Sequence, residues 1–159
     1  MGGKWVWSLV AAFSLLLPAC GEKHQEREEA EEHEAEEKEL SAFELENGIG
    51  PVKEKVELAA LDPALVAKGK ALFETKCSMC HKMDTTYVGP SLGEVTARRT
   101  PAYIMNMILN PQEMVERHPV AKQLLAERMT LMANQNLSVE EARAVLEYLR
   151  TQAKSPPKP

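Results

Sequence analysis

Apolar and polar positions divide the chain into three stretches of different character. From Trp5 to Leu17 the residues are almost continuously apolar, preceded by Lys4 and followed by Pro18-Ala19-Cys20. A run this short does not span a bilayer, and its flanks are those of a secretory signal. Residues 22–57 are Glu-rich and carry no apolar period. Such composition buries too little surface to offset its ordering entropy, so it predicts a solvated tether, on the order of 100 Å long if fully extended. His24 and His33 fall within it as solvated residues.

From residue 61 the apolar positions take up helical spacing. Asp62 as N-cap and Pro63 at the first helical position open a helix with Leu65, Leu72 and Phe73 on one apolar face, ending where Cys77 begins. Residues 84–99 read as loop. Thr100-Pro101 opens a second helix carrying Ile104, Met105, Ile108 and Leu109; Asn110-Pro111 stops it and starts a short third; Pro119 starts a fourth that runs to Met129. After a loop over 133–137, Ser138 and Glu141 form a capping box before Val139, Ala142, Val145, Leu146 and Leu149. With no strand-like alternation, the expected fold is all-α, about five helices over residues 61–152, with 153–159 as a flexible tail.

Composition sharpens the picture. Phe, Tyr and Trp make up 5% of the 159 residues, and both Trp (Trp5, Trp7) and Phe13 lie in the first twenty. One compact domain is the most such a chain can build. A core so poor in aromatics would gain from packing around a large apolar cofactor. The net charge of −5 is segregated: residues 21–60 hold 14 Asp/Glu against 5 Lys/Arg, whereas residues 61–159 hold 10 against 13. Acidity therefore belongs to the tether, and the domain is mildly basic.

The three cysteines have separate explanations. Leu17-Pro18-Ala19-Cys20 resembles the lipobox of bacterial lipoproteins, which implies a signal over 1–19 and lipidation of Cys20; an ordinary cleaved signal and an uncleaved anchor are the alternatives. Several acyl chains on one Cys would hold stably where a single chain would not. Cys77-Ser78-Met79-Cys80-His81 has the spacing of covalent haem attachment. Two thiols about one helical turn apart can reach the two vinyl groups of one porphyrin, and the following His can turn toward the iron. A zinc site would want a second ligand pair, and a dithiol redox centre a β-α-β setting; the sequence offers neither.

On these residues, residues 61–152 resemble a class I monohaem cytochrome c domain. The likeness rests on Gly69, Phe73, the motif at 77–81, Gly89-Pro90-Ser91-Leu92, and Glu147-Tyr148-Leu149 in the last helix. It implies one covalent haem c, a close crossing of first and last helices at Gly69 beside Phe73 and Tyr148, and a Pro90 carbonyl that accepts from the His81 ring. It also implies a methionine ligand in the loop ahead of the last helix, where Met132 stands. Met129 is the competitor, followed by another Met, His118 or an open site.

His/Met ligation would suit a carrier of single electrons rather than an enzyme, with no small-molecule substrate and no nucleic-acid partner. The expected donor is a quinol-oxidising complex and the expected acceptor a terminal oxidase or reductase. The expected place is the bacterial cell envelope, with the lipid-anchored domain in the periplasm or on the outer side of the cytoplasmic membrane. A fixed haem subunit of a larger complex and an open-site haem sensor are the alternatives. Lys68, Lys70, Lys76, Lys82, Arg98 and Arg99 offer either a steering patch toward an acidic partner or an ordinary solvated surface.

Overall fold

The structure, a computed structural model, describes residues 39–159. The signal at 1–19, Cys20 and the acidic stretch to residue 38 lie outside the described residues. Among the described residues the regular elements are all helical: α1 (Ala42–Asn47), α2 (Pro63–Leu72), α3 (Val95–Arg98), α4 (Pro101–Leu109), α5 (Pro111–Arg117), α6 (Pro119–Arg128) and α7 (Val139–Gln152). The five expected helices are all present, and α1 and α3 are additions. No helix of this part is long and apolar enough to cross a membrane.

Local chemistry explains where these helices begin. Asp62 accepts from the Ala64 N–H and Thr100 from the Tyr103 N–H, each with proline at the first helical position, which has no N–H to satisfy. Ser138 and Glu141 close the capping box of α7. α2 does not stop cleanly. Residues Phe73–Cys77 widen into one π-helical turn, in which the Ser78 N–H reaches the Phe73 carbonyl at 2.9 Å. Single π turns of this kind concentrate at functional sites.

The main core lies between α2, α4 and α7, with Phe73, Ile104, Ile108, Leu146 and Leu149 buried together. Helices α2 and α7 cross at Gly69. A side chain there would run into the Ala144 carbonyl oxygen, and Tyr148 Cβ lies 3.1 Å from where it would stand. Beside the crossing, the rings of Phe73 and Tyr148 pack with centroids 5.4 Å apart. Met105 is buried in this core. A second cluster, Ile49, Tyr103, Met114, Val115 and Ala121, joins α4, α5 and α6 to the residues ahead of α2.

That second cluster corrects the expected tether. Residues 39–60 are not solvated chain: they form a strap laid across the domain, α1 followed by an extended stretch, so the folded part begins about twenty residues before Leu61. Ile49 is 2% exposed, and its N–H points at Met114 Sδ. Asn106, fully buried, binds the strap with its whole amide: Nδ2 donates to the carbonyls of Asn47 and Val52 at 3.0 Å, and Oδ1 accepts from the Val52 N–H at 3.0 Å. Farther along, Arg143 and Arg150 flank the buried Glu147 carboxylate and donate to the carbonyls of Glu57 and Ala59. Most of the strap's attachments thus use backbone carbonyls, which leave no mark on an apolar pattern.

The tail is also attached rather than frayed. Lys154 N–H donates to the Glu94 carboxylate at 3.0 Å, and Lys158 N–H donates to the Thr96 carbonyl at 2.7 Å.

Candidate haem site

The π turn delivers Cys77 to the edge of the core, and the chain reverses immediately after it: the N–H groups of Cys80 and His81 both return to the Cys77 carbonyl. The following loop folds back alongside the motif. Gly89 N–H donates to the Cys80 carbonyl, Leu92 N–H to Lys82 and Gly93 N–H to Met83, each at 2.9 Å. This short ladder brings Pro90 beside the imidazole, and His81 Nδ1 lies 2.9 Å from the Pro90 carbonyl oxygen. A carbonyl only accepts, so the proton of this ring sits on Nδ1 and Nε2 keeps its lone pair for a metal.

Cys77, Cys80 and His81 line one apolar cavity with Phe73, Ile104, Ile108 and Leu149. Burial pushes the Cys77 thiol up to about 11, with the neighbouring Cys80 thiol adding to it. A thiol held so far from ionisation is a poor attacking group for dithiol exchange. Among the described residues no three His, Cys, Asp or Glu side chains converge as a zinc cage requires.

Methionine placement separates the expected sixth ligands. Met132 lines this cavity from the loop before α7 and packs against the main core. Met129 ends α6 in a left-handed conformation, is 89% exposed, and does not face the cavity. Met107 also lines the wall, from α4. His118 lies elsewhere: it is fully buried, Nδ1 accepts from the Val120 N–H, and Nε2 donates to the Leu45 carbonyl. With both ring nitrogens committed, it has no lone pair to offer an iron.

The residues present fit a haem beyond the donor set. Tyr103 Oη and Arg128 Nε are buried without a protein partner, and both residues line the cavity. Buried polar atoms are rarely orphaned unless something else meets them. The two carboxylate arms of a haem are acceptors suited to both. Neither residue stands out in sequence, since each sits in an ordinary helical pattern. Of the expected basic patch, Lys76, Arg98 and Arg99 line the cavity and Lys68, Lys70 and Lys82 do not; Lys82 Nζ instead sits 5.4 Å from the Tyr87 ring centroid.

Comparison with known proteins agrees. The cytochrome c family model matches residues 66–153. Cytochrome c-551 of Stutzerimonas stutzeri is 52% identical over 40 residues, covering 24% of this chain and 38% of that protein. Photosystem II extrinsic protein V of a Synechococcus strain is 31% identical over 134 residues, covering 69% of this chain and 72% of that protein. The solved structure of a cytochrome c from Rhodothermus marinus superposes with a TM-score of 0.66 at 50% identity, covering 70% of this chain and 97% of that one. The chain therefore belongs to the cytochrome c family, an all-α electron-transfer protein and not an enzyme, with covalently bound haem c as its cofactor.

Proposed function

We propose that Cys77 and Cys80 carry the haem through two thioether bonds, that His81 binds its iron and that Met132 takes the sixth position. The observation that carries this reading is the meeting of two thiols, a carbonyl-anchored imidazole and a thioether on the wall of one apolar cavity. When bound, the haem supplies a one-electron iron couple. The protein's residues tune and enclose it. The Pro90 carbonyl holds the His81 ring in one tautomer and orientation, with Nε2 left to bind the iron. The apolar wall excludes water, and a soft thioether favours the reduced iron and so a high potential.

On this reading the protein is a lipid-anchored shuttle held through Cys20, with its domain in the periplasm or on the outer side of the cytoplasmic membrane of a bacterium. It takes single electrons from a quinol-oxidising complex and passes them to a terminal oxidase or reductase. The cations Lys76, Arg98 and Arg99 on the cavity wall support docking to an acidic face, where electrostatic steering speeds encounter. Tethering raises the domain's concentration near membrane partners, so weak docking suffices.

The experiment is gentle detergent extraction of membranes holding the full chain, with a Cys20→Ser variant alongside. A shuttle leaves the membrane fraction alone, and the variant is found unanchored. Stoichiometric recovery with a large complex would replace this reading with a second one, a fixed haem subunit. The 31% identical relative favours that second reading, because it is named as an extrinsic protein of photosystem II.

A further inference from the structure

Two consecutive carbonyls of the N-terminal strap reach the residues that flank Tyr103. The Leu45 carbonyl accepts from His118 Nε2–H at 3.2 Å, and the Glu46 carbonyl accepts from the Thr100 hydroxyl at 3.4 Å. Thr100 Oγ1 in turn accepts from the Tyr103 N–H at 3.2 Å. The His118 ring stands nearly edge-on to the Tyr103 ring, centroids 5.2 Å apart at 76°, and the Arg99 guanidinium lies 5.3 Å from the same ring. Tyr103 is 4% exposed, lines the haem cavity, and its phenol oxygen has no partner in the protein. Its O–H therefore needs an acceptor from whatever fills the cavity, and a haem carboxylate supplies one.

We propose that His118 is a positioning residue that couples the N-terminal strap to the haem: the docked strap holds His118, His118 holds the Tyr103 ring, and the Tyr103 hydroxyl donates to a haem carboxylate. This rests on the haem reading above. A donor on that carboxylate draws negative charge away from the iron and favours its reduced form. Undocking the strap loosens the donor and lowers the midpoint potential. The segment through which the chain would be pulled from its membrane side thus acts on the redox centre, although it contributes nothing to the cavity wall.

The test measures midpoint potentials of the haem-loaded full chain in four single variants and one double variant. Tyr103→Phe removes only the hydroxyl, and about a threefold change in the oxidised-to-reduced ratio at fixed potential is expected, equal to about 30 mV. Gly50→Ala drives a methyl group into the Asn106 amide, whose Cγ is 2.8 Å from the new carbon, and so releases the strap. It should expose residues 39–60 to protease and lower the potential by a similar amount, yet produce no further shift when added to Tyr103→Phe. His118→Leu should behave as Gly50→Ala does, while His118→Gln, which can still donate to the Leu45 carbonyl, should restore most of the parent value. That His118 pair stands alone if Gly50→Ala takes up no haem. Equal potentials for parent and Tyr103→Phe overturn the proposal, as does a strap effect undiminished in the Phe background. A parent chain that matures without covalent haem overturns the functional reading itself, a different result from haem present with an insensitive potential.

Discussion

His81 Nδ1 donates to the Pro90 carbonyl oxygen across 2.9 Å, nine residues along the chain. The acceptor is a backbone atom, so no side-chain substitution at residue 90 deletes it. The geometry depends instead on how closely the loop can approach the ring, and that is decided at the neighbouring glycine. A Cβ on Gly89 would stand 2.7 Å from His81 Nδ1 and closer still to the ring carbon beside it.

Gly89→Ala should therefore push the imidazole off the Pro90 carbonyl. The expected outcome is a markedly reduced yield of covalent haem per chain, with a lowered potential in what does form, read by absorbance after acid-acetone extraction. Haem content and potential equal to those of the parent would mean that the loop moves freely and that the contact does not orient the ring.

Met132→Ala should abolish the weak far-red thioether-to-iron absorption of the ferric protein, whereas Met129→Ala and Met107→Leu should leave it intact. Met129 is 89% exposed and lies off the cavity wall, while Met107 shares the wall with Met132 but sits on a helix rather than in the loop before α7. A band that survives in Met132→Ala and disappears in Met107→Leu would transfer the ligand to α4.

Gly69→Ala tests the helix crossing without touching the haem site. The added methyl group meets the Ala144 backbone, which cannot rotate away, so α2 and α7 must separate along their contact. Overpacking of this kind costs about 1–3 kcal/mol. Denaturant unfolding should show a loss in that range, and an unchanged midpoint would show that the two helices separate at little cost.

Stability should also weaken under mild acid. Burial holds the His118 ring below its usual value of 6.5, with the Arg99 charge acting in the same direction and the Leu45 and Glu44 carbonyls opposing. The unfolded chain therefore binds a proton before the folded one does, and stability is full above about pH 6.5 and declines as pH falls through the lower folded value. On its other sides His118 faces the uncharged Tyr103 phenol and the α6 N-terminus, while Arg117, next in sequence, pairs with Glu113. Glu44 and Glu113, held below the usual carboxylate range mainly by hydrogen bonds from Ser41 and Asn110, contribute only at more acid pH. Thermal melts between pH 7 and 5 should show the decline in the parent and its loss in His118→Gln. A decline of equal size in both proteins would assign it to other groups.

Glu147→Leu should cost about 3–5 kcal/mol, because it leaves two arginines at a site built around one buried carboxylate. Glu147 is 2% exposed, and the same two guanidinium groups hold the Glu57 and Ala59 carbonyls. Protease sensitivity of residues 55–61 should rise together with the loss of stability. Destabilisation with the strap still protected would separate the ion triad from strap docking.

What could be read along the chain was what adjacent residues decide among themselves. The two thiols and imidazole at 77–81, the prolines that open α2, α4, α5 and α6, and the capping box of α7 act within one or two helical turns, so their spacing survives without any knowledge of the fold. The close crossing at Gly69 was legible only through family resemblance. Tertiary structure alone decided that residues 39–60 are strap and not tether, that Met132 faces the cavity and Met129 does not, and that Tyr103 and Arg128, whose Oη and Nε are buried without protein partners, both line it. The physical reason is the same in each case. The strap is held by side-chain contacts to backbone groups 54 to 91 residues apart, such as Val52 to Asn106 and Ala59 to Arg150. Every residue carries those backbone groups, so neither period nor composition distinguishes the ones that will be used.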